Sequence, residues 1–343
     1  MDSAAQYLAL IDALAGRRVA VIGDIIADEF VYGRVARVSR EAPVLILEYD
    51  STEVVPGGAG NAANNVAALG GRARLAAIVG RDEAGIRVVS ALHRRVDRAA
   101  LVRLPRISTP VKTRILAGGM HSAKQQVVRI DKSVRRPSDA RTRLAFERAA
   151  LRAATSVDAV LVSDYGSGLV TPAFVSRLRT ALWRKQPTRR GAPNGTPPAI
   201  LVDSRYRLMA YRGLTACTPN ESEVEQALGI RIDDNTRALE RAGREILART
   251  GMRAVLITRG SRGMALFEPD KPTVHIPIVG SDEVADVTGA GDTVMATTTL
   301  ALAAGASFEQ AARLANIAGG IVVMKRGTAT VSPAELREAV RHG

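Results

Sequence analysis

The sequence predicts an α/β fold of three layers, with a mostly parallel central sheet between helices and a small β-sheet standing off it. Three observations predict it. Apolar strand-like runs alternate with helical stretches along most of the chain. Hydrophobic residues make up 46% of the 343 residues and aromatics only 3%, so the core is built from Ala, Val, Leu and Ile, which suits a buried parallel sheet. Two separate stretches, 28–49 and 111–130, break the alternation with short runs of period two.

Residues 3–15 read as a short amphipathic helix, and Arg18-Val-Ala-Val-Ile-Gly23 as a buried strand. From Asp28 to Tyr49 the runs 30–32, 35–38 and 44–47 read as exposed antiparallel strands, and 111–116 with 126–130 matches them. Together they give a small sheet from two insertions, a lid over about 29–56 and 108–131. Further strands are expected at 74–79, 157–163, 199–203, 253–258 and 263–267. Helices are expected at 60–70, 82–96, 138–155, 172–185, 235–250, 290–304, 307–323 and 333–341. In such a fold the loops at the strand C-terminal ends form the site. Gln186 to Pro198, with four prolines and two glycines, reads as a mobile surface loop rather than a linker, so 1–343 is expected to be one domain. No internal repeat is visible.

The net charge of +14 raises the question of nucleic acid. The basic residues are mostly Arg, spread throughout and interleaved with Ala in helical segments such as 140–154, and aromatics for base stacking are scarce. Solvated helix faces and phosphorylated ligands account for the excess better than a nucleic-acid partner. A single cysteine, Cys217, allows neither an intrachain disulfide nor a zinc site and suits a reducing cytosol. The N-terminus lacks a basic-then-apolar signal pattern, and no run reaches the roughly 18 apolar residues of a membrane span, so a cytoplasmic protein without a membrane partner is expected.

The most informative motif is Asp286-Val-Thr-Gly-Ala-Gly-Asp292, where a loop becomes a helix. A helix start presents unpaired N–H groups and a partial positive charge to phosphate oxygens, and glycines let the backbone approach them. Asp292 at that place can take a proton from a hydroxyl. An anion cradle beside a base is what phosphoryl transfer to an alcohol requires. The plain alternative is a capped turn.

Four further motifs keep it company. Pro56-Gly-Gly-Ala-Gly-Asn61 offers close backbone approach and a carboxamide for a polyol, or is an ordinary glycine turn. Thr218-Pro-Asn-Glu-Ser-Glu223 places Asn220 and Glu223 on one side of a helix start, where they either orient Mg²⁺ waters or form a capping box. Gly23-Asp24-Ile-Ile-Ala-Asp28 and Ser163-Asp-Tyr-Gly166 put Asp24, Asp28 and Asp164 at strand ends, to hold sugar hydroxyls or to cap turns.

In this order, on an alternating α/β chain, these motifs resemble the ribokinase/PfkB family of carbohydrate kinases over nearly the whole length. The resemblance implies a ribokinase-like fold. Within the family four stretches are similar to the D-glycero-β-D-manno-heptose 7-phosphate kinases: 37–44, Lys112-Thr-Arg114 with 125–131, 163–165 and 325–332. It implies Asp292 as catalytic base and Gly289, Ala290 and Gly291 as the anion hole. Asp28, Gly57, Gly58 and Asn61 would hold the sugar, with Asp24 and Asn65 beside them. Asn220 and Glu223 would serve the Mg²⁺-triphosphate, through water. Thr258, Gly260 and Gly263 would line the nucleotide site, with Asn316, Gly320 and Val323 by the adenine. ATP, Mg²⁺ and a monovalent cation are the implied cofactors, and the lid the implied homodimer contact. A substrate phosphate needs fixed cations, for which Lys112, Arg114 and Arg129 offer a group, with Arg37 and Arg40 behind.

Two departures stand out. Ser167 takes the place of a lysine in the heptose kinases' Asp-Tyr-x-Lys-Gly, and Asp203-Ser-Arg205 that of Asp-Pro-Lys. Kinases of ribose, nucleosides or fructose 1-phosphate are the nearest alternatives. Adenylyl transfer is not expected, because the four histidines are far apart and form no His-x-Gly-His, and because the chain stops just after the kinase elements.

Overall fold

The computed structural model describes residues 4–118, 124–132, 139–184, 197–279, 286–325 and 327–342. Among them an eight-stranded sheet runs in the order β14-β13-β12-β11-β10-β9-β1-β4. Its strands are β1 (Arg18–Gly23), β4 (Arg72–Ala76), β9 (Ala159–Asp164), β10 (Ala199–Ser204), β11 (Ala216–Cys217), β12 (Ala254–Thr258), β13 (Met264–Phe267) and β14 (Val274–Ile276). All neighbours from β4 to β12 are parallel, and β13 and β14 add an antiparallel edge.

The strand sequences explain the layering. In β1, Val19 and Val21 join one buried cluster while Ala20 and Ile22 join the other, and Leu161 and Val162 of β9 divide likewise. A strand with apolar side chains on both faces must lie between two layers. Helices α1 (Ala4–Ala13), α2 (Ala59–Ala68), α8 (Ala290–Ala303), α9 (Phe308–Val323) and α10 (Pro333–His342) cover one face; α4 (Ala140–Ala153), α5 (Pro172–Arg184), α6 (Glu221–Leu228) and α7 (Thr236–Thr250) cover the other. A short pair, β5 (Ile78–Gly80) and β6 (Val102–Leu104), flanks α3 (Glu83–Ser90).

The small sheet has the order β3-β2-β7-β8, from β2 (Ile25–Val38), β3 (Leu45–Gly58), β7 (Val111–Gly118) and β8 (Gln125–Lys132). Ile25, Ile26, Ala27 and Asp28 are buried at its root, while residues 34–38 are exposed. One expectation is corrected here. The strands are not all antiparallel, because β2 and β7 pair in parallel from Ala27↔Val111 to Arg34↔Gly118. Both leave the body at the same point, where the Ala27 N–H donates to Pro110 O at 2.8 Å, so both run outward and β3 and β8 return. The expected helix 82–96 ends at Ser90, and the expected strand 74–79 is split between β4 and β5. Most of the loop 186–198 lies outside the described residues.

Candidate active site

The parallel sheet ends in a crevice where α2 and α8 begin. Gly289 caps α8 in the left-handed conformation at φ 79°, and a Cβ there would come within 2.6 Å of Asn61 Nδ2 and 2.9 Å of Thr328 Cγ2. Only glycine fits both demands. A Cβ on Gly291 would meet nothing within 4 Å, so space stands open at the helix start, where Ala290, Gly291 and Asp292 form the first turn. The Thr328 hydroxyl is buried alongside, with no partner among the described residues. An anion such as a phosphoryl group suits this end of the helix.

Asp292 lies 5% exposed in that turn. Its Oδ2 accepts from Asn61 Nδ2 at 2.9 Å, and its Oδ1 accepts from the Tyr165 hydroxyl at 3.2 Å. Burial pushes its pKa up to about 7, helped by the Asp28 carboxylate and opposed by the Asn61 and Tyr165 hydrogen bonds and by Lys112. Asn61 is itself held: its Nδ2 also reaches Gly289 O at 3.3 Å, and Asn65 Nδ2 donates to its Oδ1 at 3.0 Å. Asn65 Oδ1 in turn accepts from the Thr293 hydroxyl, so α2 and α8 are locked together beneath the carboxylate.

Outside lies a cleft of about 560 Å³, walled by Asp24, Lys112, Arg129, Tyr165, Ser167 and Arg205 among others. Asp24 accepts from the Tyr165 N–H at 3.0 Å and from the Ser167 hydroxyl. Ser167, in the position where a lysine was expected, thus fixes the turn carrying Tyr165. Asp28 is buried and paired with Arg114, whose Nη1 donates to Oδ1 at 2.6 Å. A Cβ on Gly57 would run into the Asp28 carboxylate, and one on Gly58 would come within 3.2 Å of the Tyr165 ring. Lys112 sits over that ring, 5.1 Å from its centroid, with its pKa lowered by burial and by neighbouring Arg205 and Arg114.

Several expected ligands are engaged elsewhere. Arg114 serves Asp28 instead of standing free for a phosphate. Arg129 is paired with Asp131 at 2.8 Å at the cleft rim. Arg37 and Arg40 are exposed, Arg37 pairing with Ile46 towards the far end of the small sheet. Asp164 is buried away from the cleft: it accepts from the hydroxyls of Ser204 and Tyr211 and from Arg207 NH2, at 2.9, 2.7 and 2.8 Å. Period two explains this, since Asp164 shares the strand face of Val160 and Val162.

At the start of α6, Asn220 and Glu223 form the capping box, with Asn220 Oδ1 accepting from Glu223 N at 2.8 Å and Glu223 Oε2 from Asn220 N at 3.0 Å. The box does not exhaust Glu223: its pKa is raised by burial, and it faces Asp203, whose pKa is raised well above the usual carboxylate range by burial and then by Glu223 and Asp292. Two carboxylates both raised by burial, Asp203 by the Glu223 charge as well, suit a cation reached through water, as Mg²⁺ prefers. Among the described residues no group of three or more His, Cys, Asp or Glu forms a direct metal cage. Thr258 ends β12 and bridges to Asn220; Gly260 and Gly263 turn the chain into β13. Asn316, Gly320 and Val323 follow one stripe of α9: Asn316 Nδ2 donates to Pro277 O at 2.7 Å, a Cβ on Gly320 would meet Val279 O, and Val323 O accepts from Asp286 N at 3.0 Å.

Sequence reasoning assigned no role to Tyr165 or Asp203. Both stand at strand C-terminal ends, within or beside motifs rich in Asp and Gly, which was the available signal.

Comparison with known proteins agrees with this geometry. Residues 17–335 match the pfkB family of carbohydrate kinases. The chain is 42% identical over 346 residues to the bifunctional protein HldE of Caulobacter vibrioides, covering 98% of this chain and 65% of that protein. It is 43% identical over 319 residues to the HldE of Geobacter metallireducens, covering 92% and 61%. The chain thus spans less than two thirds of the length of these curated relatives. Its fold matches phosphofructokinase-2 from Escherichia coli in complex with potassium at TM-score 0.71 and 18% identity, covering 95% of this chain and 99% of that one. It matches Arabidopsis thaliana ribokinase complexed with ribose and ATP at TM-score 0.68 and 17% identity, covering 95% and 99%. With the cradle, the buried carboxylate and the cleft all at the ends of a ribokinase-like sheet, the chain belongs to the pfkB family of carbohydrate kinases and is a sugar kinase.

Proposed function

We propose that the protein transfers the γ-phosphoryl group of ATP to the C1 hydroxyl of D-glycero-D-manno-heptose 7-phosphate. The product is the β-1,7-bisphosphate, which feeds ADP-heptose and the lipopolysaccharide core. The observation that carries the reading is the Asp292 carboxylate in the first turn of α8, beside the open space over Gly291 and a cleft walled by Lys112, Arg129 and Arg205. Asp292 removes the proton of the attacking hydroxyl, and the amides of Gly289, Ala290 and Gly291 take up charge on the moving group. Asn61, Asn65, Asp24 and Asp28, with the backbone at Gly57 and Gly58, hold the sugar hydroxyls.

The triphosphate lies towards Glu223 and Asn220, Thr258, Gly260 and Gly263 line the nucleotide site, and the adenine lies by Asn316, Gly320 and Val323. Glu223 and Asn220 would hold Mg²⁺ through its waters, and the ion would neutralise phosphate charge. A monovalent cation completes the set. We read 1–343 as one domain whose small sheet acts as a lid. Val38, Val44, Leu45, Tyr49, Val128 and Ile130 leave that sheet with exposed apolar side chains, which suits a homodimer contact through the lid. Among the described residues no helix is long and apolar enough to cross a membrane, and a cytoplasmic enzyme fits the single cysteine.

The test is ADP release with the heptose 7-phosphate beside ribose, adenosine, fructose 1-phosphate and fructose 6-phosphate. The highest kcat/KM on the heptose, with a product phosphorylated at C1, is expected. A clear preference for another acceptor would replace the substrate while keeping the kinase.

A further inference from the structure

Tyr165 separates the open cleft from the carboxylate behind it. It lines the cleft, and its hydroxyl reaches inward to Asp292 Oδ1 at 3.2 Å. Three contacts fix its ring and backbone. Its N–H donates to Asp24 Oδ2 at 3.0 Å, Lys112 Nζ stands 5.1 Å from its ring centroid, and Gly58 leaves room for the ring edge that a Cβ would touch at 3.2 Å. Ser167 closes the same turn through Asp24. A tyrosine held this firmly, with its only polar side-chain atom aimed at the candidate base, is placed to act on that base.

We propose that Tyr165 is the positioning residue for Asp292: its hydroxyl locks one carboxylate oxygen, keeps the group ionised, and leaves the remaining lone pairs to face the acceptor hydroxyl. This rests on the reading of Asp292 as base. Asn61 locks the other oxygen, at 2.9 Å from Oδ2, so the pair fixes the carboxylate plane. Donation to the charged form favours that form. The tyrosine itself stays a donor at all working pH, because burial and then the Asp292, Asp203 and Asp28 carboxylates raise its pKa far above ordinary. The other groups facing Asp292 are Asn61 on α2, Asp28 on β2, Lys112 on β7 and Asp203 at the end of β10. Replacing Tyr165 by Phe leaves all of them in place and removes one oxygen.

The experiment is the pH profile of kcat for wild type, Tyr165→Phe and Asp292→Asn as full chains, with the best acceptor of the panel above, and thermal melts as a control for folding. Losing a charge-assisted hydrogen bond moves a titration by about 1 in pH or more. In Tyr165→Phe the acid limb is expected to move up by about that much, so that the loss in kcat is about tenfold near pH 6 and shrinks towards pH 9, with KM for both substrates within about twofold. Should Tyr165→Phe melt early, the profiles are recorded below its transition temperature, where the same displacement of the limb is expected. A profile superimposable on wild type, or a loss equal at every pH, overturns the role of Tyr165 if Asp292→Asn is inactive. Retained activity in Asp292→Asn overturns instead the base on which the proposal rests.

Discussion

Replacing Asp292 by Asn separates catalysis from stability, and the two should move in opposite directions. The carboxyl is buried and its pKa rises from the ordinary 3.8 to about 7. Between these values the folded chain holds more proton than the unfolded chain, so this group's contribution to stability falls as pH rises from 3.8 to 7. Every tenfold change in a group's proton affinity on folding is worth about 1.4 kcal/mol, which gives a ceiling of about 4 kcal/mol for keeping the ionised form buried above pH 7. At pH 5.5 the same reasoning gives about 2 kcal/mol. Asn has the same shape, can accept from Asn61 and can donate to the Tyr165 oxygen, so it keeps the packing without the charge. Asp292→Asn should therefore melt higher than wild type at pH 8, and the gap should narrow by about 2 kcal/mol at pH 5.5. Its kcat should fall at least about a hundredfold, with the wild-type acid limb centred near the carboxyl's pKa of about 7. Paired calorimetry and steady-state kinetics at the two pH values check this. Near-normal turnover would refute the base, and a variant no more stable at pH 8 than at pH 5.5, relative to wild type, would refute the buried charge.

Three other substitutions probe the frame. Gly289→Ala puts a methyl within 2.6 Å of Asn61 Nδ2 at a φ of 79°, and should cost about 1–3 kcal/mol in a melt and lower kcat by disturbing the cradle. Arg114→Ala strands the buried Asp28 carboxylate, and should cost about 3–5 kcal/mol in denaturant titration, with Arg114→Ala plus Asp28→Asn recovering much of that loss. Lys112→Ala should raise KM for a phosphorylated acceptor about tenfold or more while KM for ATP changes little, as initial-rate kinetics would show.

The motifs at strand ends were legible because glycine and Asx residues there answer local demands: Gly289 is needed for its φ, Asn61 reaches the next helix, and Asn220 caps its own. The three-layer sheet was legible because strands such as β1 and β9 are apolar on both faces. What was not legible came from pairing across sequence. Arg114 looked like a phosphate ligand until the parallel β2–β7 register set it opposite Phe30, from where its side chain reaches Asp28 two residues along β2 and 86 residues away in sequence. Asp164 looked like a site residue because it ends a strand, yet its strand face turns it towards Ser204, Arg207 and Tyr211. Tyr165 read as part of a motif, and its distance from Asp292, 127 residues along the chain, hid what it touches.

The charge balance of the cleft follows from these pairings. Arg114 neutralises Asp28, and Arg129 is partnered by Asp131. Among the described residues Lys112 and Arg205 have no ion pair at short range but tyrosine rings beneath them, at 5.1 and 5.9 Å, with Asp28 acting on the lysine and Asp203 and Glu223 facing the arginine, and they lie close enough that Arg205 helps to lower the lysine's pKa. Two cations turned towards one cavity repel each other until an anion stands between them, so a dianionic phosphate gains from both while a neutral sugar gains from neither. Of the two, Lys112 acts on Asp292 and helps to keep it ionised. In the proposed reaction a substrate phosphate bound there would screen that help, leaving the neutral donors Asn61 and Tyr165 to hold the Asp292 carboxylate in its charged form.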